Sequence, residues 1–204
     1  MASTNEKYPS RVLQDAVEAI SSLPGVGSRS ALRLALHLLK QPSESIHQFA
    51  TAVDRLSTDV HYCKECMMVS DGDVCSICSD RNRDHNTICV VESVRDVMSI
   101  EATGQYKGVY HVLGGIISPI NGIAPSDLKI KELLSRLQPG MEVILALSGD
   151  VEGETTAFYI YRQMASANVT VTTLARGLGF GDDLEYADSL TLGRSIAARQ
   201  PFRP

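Results

Sequence analysis

The stretch Cys63-Lys64-Glu65-Cys66-Met67-Met68-Val69-Ser70-Asp71-Gly72-Asp73-Val74-Cys75-Ser76-Ile77-Cys78 divides the 204-residue chain into a helical part before it and a strand-bearing part after it. Each Cys-x2-Cys pair can turn two thiolates toward one point. Two such knuckles supply the closed tetrahedral sulfur shell that zinc prefers, with bonds of roughly 2.3 Å. With no open coordination position the metal is expected to be structural, one per chain, holding a segment with too few large apolar side chains to fold alone. The competing reading, buried small hydrophobes or reversible redox thiols, is disfavoured by the paired spacing. Cys89, the fifth cysteine, sits inside an apolar run and reads as core.

Before the cysteines, Val12, Leu13, Ala16, Val17 and Ile20 recur at helical spacing, and a second helical pattern runs from about Ser28 to Lys40. Between them lies Leu23-Pro24-Gly25-Val26-Gly27, a turn with two glycines. Gly25 and Gly27 allow backbone N–H groups to point outward beside the positive end of the following helix, which makes a phosphate cradle. Arg29, Arg33, His37 and Lys40 follow on one side of that helix, while Leu32, Leu36 and Leu39 are expected to face the core. This pattern fits a helix-hairpin-helix that grips the sugar-phosphate backbone without reading bases. The plainer alternative is a helical hairpin with a solvated polar face. A third amphipathic stretch, with Ile46, Phe49, Ala50, Val53 and Leu56, follows Pro42.

After the cysteines the texture changes. Ile88–Val91, Val109–Leu113, Val143–Leu147 and Val169–Thr172 read as short buried strands. Helical patterns at Ser93–Thr103, Asp127–Leu137 and Thr155–Ala167 lie between them, so a mainly parallel sheet covered by helices is expected. The connection Gly114–Pro125 interrupts the alternation, and Gln200–Pro204 reads as an exposed tail.

The formal net charge of -5 excludes a generalised basic surface, but the charge is unevenly spread. Residues 1–61 carry six basic and six acidic groups, residues 62–80 one and four, and residues 81–204 twelve and fourteen. Positive charge is thus concentrated locally in a neutral first third. No apolar run approaches the roughly 20 residues of a membrane span. The start Met1–Lys7 has no signal-peptide core, so a soluble, cytoplasmic protein with no membrane partner is expected.

Carboxylates gather at expected strand ends. Glu92 closes the first run after the cysteines, and Asp150-Val151-Glu152-Gly153-Glu154 follows the run ending at Leu147. In an open parallel sheet, side chains just beyond the C-terminal strand ends meet in one crevice, and converging oxygens suit magnesium. For each acid alone, a helix N-cap or a solvated surface charge explains it equally well. Asp182, Asp183, Glu185 and Asp188 form a further acidic group.

The order of these parts resembles the RecR family of bacterial recombination mediators, whose α/β part belongs to the Toprim class. The resemblance covers about Tyr8 to Arg199. It is carried by L-P-G-V-G-S-R-S-A-L-R at 23–33, C-S-I-C-S-D-x-x-R-D at 75–84, T-I-C-V-V-E at 87–92, Y-H-V-L-G-G at 110–115, V-E-G-E-T-T-A at 151–157 and L-E-Y-A-D-x-x-T-L at 184–192. It implies a multidomain α+β and α/β architecture: a helix-hairpin-helix region at 1–56, a four-cysteine zinc finger at 57–80, a Toprim domain at 81–176 and a C-terminal oligomerisation segment at 177–204. It also implies a DNA-repair mediator without turnover, assembled as a tetrameric ring or a dimer, that acts with RecO and RecF to load RecA onto single strands coated by single-strand-binding protein. Arg29 and Arg33 would then face DNA, and Glu92 with the Glu152–Glu154 loop would face RecO.

Two departures from the family pattern matter. Ser148 and Asp150 stand where catalytic Toprim proteins carry an Asp-x-Asp pair and RecR-like sequences an Asn and a Thr, so one acid is regained and magnesium binding is expected to be weak. The loop Arg176–Asp183 replaces a His-Gly-Val-Pro-type stretch, which points to altered partner contacts. Two rival functions remain at this level. One is a magnesium-dependent nuclease or primase-like enzyme using Glu92, Asp150 and Glu152. The other is a sequence-specific zinc-finger regulator, disfavoured because Lys64 is the one basic residue of 62–80 and no recognition helix fits there.

Overall fold

The computed structural model describes residues 8–175, 177–178 and 183–197. The chain divides into two compact units, residues 1–59 and 60–204.

The first unit is helical: α1 (Arg11–Ser21), α2 (Ser28–Leu38) and α3 (Ser43–Thr58). Ser10 caps α1 by accepting the Leu13 N–H, the role its short hydroxyl fits. Val17 of α1 packs on Ala31 and Ala35 of α2, with Leu13, Ile20, Val26 and Leu32 partly buried around them. The small alanines let the two helices approach. The structure corrects the expected core here: Leu36 and Leu39 are exposed, as is Val12, and α2 turns its alanines inward instead. No residue of α3 is buried, and Phe49, Val53 and Leu56 lie on the surface.

The second unit opens with the cysteine segment, a hairpin of β1 (His61–Tyr62) and β2 (Val69–Ser70) followed by the single turn α4 (Ser76–Ser79). Then come β3 (Asp84–Val91), α5 (Val94–Ala102), β4 (Gly108–Val112), α6 (Ile130–Arg136), β5 (Glu142–Leu145), α7 (Val151–Gln163), β6 (Thr170–Thr173) and α8 (Ser189–Ala197). The sheet order is β4-β3-β5-β6 and every pairing is parallel, as expected for helix-connected strands. Alternation along β3 sorts its side chains to two faces. Ile88 and Val90 enter a core with Val143, Leu145, Leu133 and Ile160 under α6 and α7. Cys89 and Val91 enter another with Tyr110, Val112 and Val97 of α5. Met67, Met68 and Ile77 of the cysteine segment complete that second face, so the segment packs on the sheet.

Several element boundaries differ from the sequence reading, among them β3, which begins at Asp84. The helix expected over Thr155–Ala167 is α7, which begins at Val151 because Asp150 caps it by accepting the Gly153 N–H, and ends at Gln163. The pattern Asp127–Leu137 splits into a 3-10 turn, Pro125–Asp127, and α6, because Leu128 is extended. The strand expected to end at Leu147 ends at Leu145. Of the loop Arg176–Asp183, Arg176 and residues 179–182, including Asp182, lie outside the described residues, as does the tail Gln200–Pro204.

Candidate metal centre, nucleic-acid surface and carboxylate edge

The Sγ atoms of Cys63, Cys66, Cys75 and Cys78 all lie within 4.8 Å of one another, and all four residues are buried. Zinc–sulfur bonds of roughly 2.3 Å place tetrahedral sulfurs roughly 3.8 Å apart, so the spacing fits. Cys66 and Cys75 approach to 3.5 Å. Backbone amides of Cys75 and Cys78 point at the Cys63 and Cys75 sulfurs, at 3.3 and 3.5 Å, an arrangement that stabilises thiolates. Without metal the cluster does not ionise fully. The Cys78 thiol donates to Cys66 and brings it down to about 5, while burial pushes Cys75 up to about 11 and the same bond pushes Cys78 upward. A divalent cation relieves this conflict by letting all four sulfurs carry charge. Cys89 lies apart in the core, where burial holds its thiol up at about 12.

In the first unit, Gly25 has φ +78 and Val26 donates to the Leu23 carbonyl at 3.1 Å, which closes a turn whose geometry favours glycine. Gly27 caps α2 with no side-chain hydrogen bond, so the first amides of the helix stay available. A Cβ at either glycine would meet nothing within 4 Å, which leaves open space over the turn. Beyond it, Arg29, Leu32, Arg33, Leu36, His37 and Lys40 line one groove of about 470 Å³. The basic stripe is therefore as expected, but the leucines share its face.

Hydrogen bonds fix three of the strand-end acids, two of them on Ser148. Glu92 Oε1 accepts the Ser148 N–H at 2.6 Å. Asp150 Oδ1 accepts from the Gly153 N–H at 2.7 Å and the Ser148 hydroxyl at 3.0 Å. Glu152 Oε1 accepts the buried Ser118 hydroxyl at 2.7 Å, and Glu154 is exposed in the first turn of α7. Among the described residues, the group of three or more metal-ligating side chains with donor atoms this close is the cysteine set.

These parts match known families in order. Profiles described as RecR helix-hairpin-helix, RecR four-cysteine zinc finger domain, Toprim domain and RecR C-terminal match residues 13–56, 60–80, 86–175 and 177–200. Recombination protein RecR of Porphyromonas gingivalis is 53% identical over 199 residues, covering 97% of this chain and 96% of that protein. The chain belongs to the RecR family. The RecR proteins of Flavobacterium johnsoniae and Bacteroides thetaiotaomicron are 52% and 51% identical over 198 and 200 residues, 96% and 97% of this chain and 96% and 98% of theirs.

Two sets of contacts in this RecR-family fold are not readable from the motifs that contain His111 and Arg83. His111 is fully buried, its Nε2 2.7 Å from the Lys129 carbonyl and its Nδ1 3.3 Å from Arg136 Nη1, and burial lowers it to about 4. Arg83 grips both oxygens of Glu101, at 2.8 and 2.5 Å, while the Tyr110 hydroxyl donates to Glu101 at 2.7 Å. Arg83 and Tyr110 stand in quoted motifs, but Glu101 lies outside them, and sequence spacing does not join residues 18 apart across a helix.

Proposed function

We propose that the chain is a DNA-repair and homologous-recombination mediator that holds DNA through the turn at Gly25 and Gly27 and the side chains of Arg29 and Arg33. The observation that carries this reading is the exposed groove in which those arginines stand beside the uncapped start of α2. Phosphate oxygens accept from open amides and pair with guanidinium groups, which positions a duplex or strand without reading its sequence. Assembly as a tetrameric ring or dimer multiplies one short stripe into several phosphate contacts. The surface stripe Phe49, Val53 and Leu56 on α3 supports such assembly, with residues 177–204 as a second oligomerisation segment.

In this reading residues 1–56, 57–80, 81–176 and 177–204 act as helix-hairpin-helix region, zinc finger, Toprim domain and C-terminal segment. One structural zinc per chain is held by Cys63, Cys66, Cys75 and Cys78. Glu92, Asp150, Glu152 and Glu154 face RecO- and RecF-type partners, with which the assembly promotes RecA loading in the cytoplasm. Magnesium binds weakly there at most, and the chain has no turnover of its own. Ser148, a hydroxyl where a second acid would stand, occupies Glu92 through its amide and Asp150 through its side chain, while Glu152 takes Ser118, which supports this over a two-acid nuclease clamp. Among the described residues, no helix is long and apolar enough to cross a membrane.

The test is a salt titration of DNA binding by the Arg29→Ala, Arg33→Ala double variant. Each lost phosphate contact lowers the slope of log K against log salt by about 0.9 on duplex, so the slope falls by about 2 per engaged chain. An unchanged slope takes DNA off this face. Cleavage of DNA with magnesium or manganese that disappears in Glu92→Gln would overturn the non-enzymatic reading.

A further inference from the structure

The second unit holds a cleft of about 550 Å³ that the readings above do not use. Its walls include Tyr62, Met67 and Val69 from the cysteine hairpin and Glu92, Asp127 and Lys129 from the sheet's C-terminal edge. We infer that this cleft docks an extended segment of a partner protein carrying an arginine beside a bulky apolar side chain, and that metal at the cysteines builds one of its walls. The inference rests on the reading that Glu92 faces a partner, and adds where the segment lies, what it carries and what organises its site.

The chemistry of the lining selects the occupant. Tyr62 is 68% exposed and Val69 38%, an aromatic and an aliphatic surface left to solvent on one hairpin. Glu92 is fixed by the Ser148 amide on Oε1, and Asp127 by capping the Ala124 N–H, so both carboxylates are pre-oriented. Two acids against one lysine favour a cation. A guanidinium both pairs with a carboxylate through a planar fork and stacks on an aromatic ring, which an ammonium does less well. The remaining apolar wall takes the neighbouring side chain, and the volume suits two side chains rather than a whole element.

The metal dependence follows from one hydrogen bond and one dihedral. In a parallel ladder, successive amides of a strand point to opposite neighbours. At the end of β4, the Leu113 N–H goes inward to the Val91 carbonyl at 2.9 Å, and the Val112 N–H goes outward to the Cys66 carbonyl at 2.8 Å. The knuckle thus stands where a further strand would. Met67 holds φ 62, an unusual value outside glycine, while its N–H donates to the Cys63 carbonyl and the Cys63 N–H donates to the Met68 carbonyl. The wall at Met67 is therefore set by the loop that the Cys63–Cys66 pair closes.

The experiment uses the full zinc-loaded chain as target for a phage-displayed library of random dodecapeptides, with counter-selection on Tyr62→Ala and Glu92→Gln, and amide hydrogen exchange before and after zinc chelation. The expected result is enrichment of clones with arginine next to a large apolar residue, bound at least tenfold more weakly by either variant. Chelation should speed exchange at Val112 at least tenfold more than at Leu113. No enriched clones, clones without arginine, or clones indifferent to Tyr62→Ala overturn the docking site. Equal effects at Val112 and Leu113 overturn the metal-built wall. Loss of RecO-type partner binding in Glu92→Gln with full binding in Tyr62→Ala leaves the partner reading of Glu92 standing and removes only the cleft.

Discussion

Replacing Gly153 by Ala tests why the acidic loop has its shape. In an ordinary helix interior this change stabilises, by about 0.5–1 kcal/mol, because alanine loses less backbone entropy and has the better propensity. Here the sign reverses. A Cβ on Gly153 would lie 2.9 Å from the Ser148 carbonyl carbon and closer still to that residue's carbonyl and hydroxyl oxygens, all within the 3.0 Å that real Cβ atoms do not reach. The nearest atom is the Ser148 hydroxyl, but the next two are backbone, so no rotamer change relieves the approach. The first turn of α7 must move away from the Ser148 loop. That motion strains the Asp150 cap on the Gly153 N–H, the Glu152–Ser118 bond and the bond from Ile117 N–H to the buried Thr156 hydroxyl.

Overpacking of this kind costs about 1–3 kcal/mol and a weakened cap about 1 kcal/mol more. Set against the propensity gain, the net loss is about 2 kcal/mol, or a fall in melting temperature of about 4–8 °C for a unit of this size. Thermal unfolding of the zinc-loaded chain followed by circular dichroism measures it, with urea unfolding at 25 °C as a second determination. An unchanged or raised melting temperature would falsify the close-approach argument and reduce the glycine to sequence habit.

Other perturbations probe the remaining parts. His111 stays neutral in the fold down to about 4 while an unfolded histidine protonates near 6.5, so stability should fall as pH drops through that window, by on the order of 3 kcal/mol, and level off below it. The urea midpoint measured from pH 7 to pH 5 should slope less in His111→Asn; equal slopes would remove His111 as the cause. Glu101→Gln should cost about 1–3 kcal/mol by leaving the largely buried Arg83 without its carboxylate. Arg83 holds the Glu101 carboxyl below the usual range, so its contribution is present above that range and is lost as pH falls through the lowered value; the variant should lack this acid-side loss. Metal analysis of reduced, freshly purified protein should give one zinc per chain, and cobalt exchanged into the site should show thiolate-to-metal charge transfer. Substantially less metal, or no such band, would contradict the four-thiolate site.

Spacing and alternation are the features that a sequence makes legible. Two Cys-x2-Cys pairs must converge because each knuckle is local, and four apolar runs joined by helical patterns have few parallel arrangements. What stays hidden depends on contacts between distant residues. Leu36 and Leu39 look like core at helical spacing, yet Ala31 and Ala35 occupy the helix–helix seam because α1 comes close enough to need small side chains. The apolar pattern places the start of α7 at Thr155, and the earlier start at Val151 depends on a contact that the pattern does not show. The absent side chain of Gly153 is what allows the first turn to pass Ser148. Strand ends alone place the acids near one edge, but how they are held is decided by Ser118, Ser148 and the Gly153 amide, whose bonds to these acids no residue type or spacing shows.

The net charge of -5 takes a different meaning once the chain is divided as it folds. The first compact unit carries equal numbers of basic and acidic groups, with Arg29, Arg33 and Lys40 drawn into one groove, so local field rather than total charge decides what it attracts. The acidic excess lies entirely in the second unit, where Glu92 and Asp127 are fixed by hydrogen bonds instead of moving freely in solvent. A fixed carboxylate repels phosphate as effectively as a mobile one but binds a cationic side chain with less entropy lost. Under the proposed function, this division of charge is what directs nucleic acid to the helical unit and a cationic partner segment to the sheet edge.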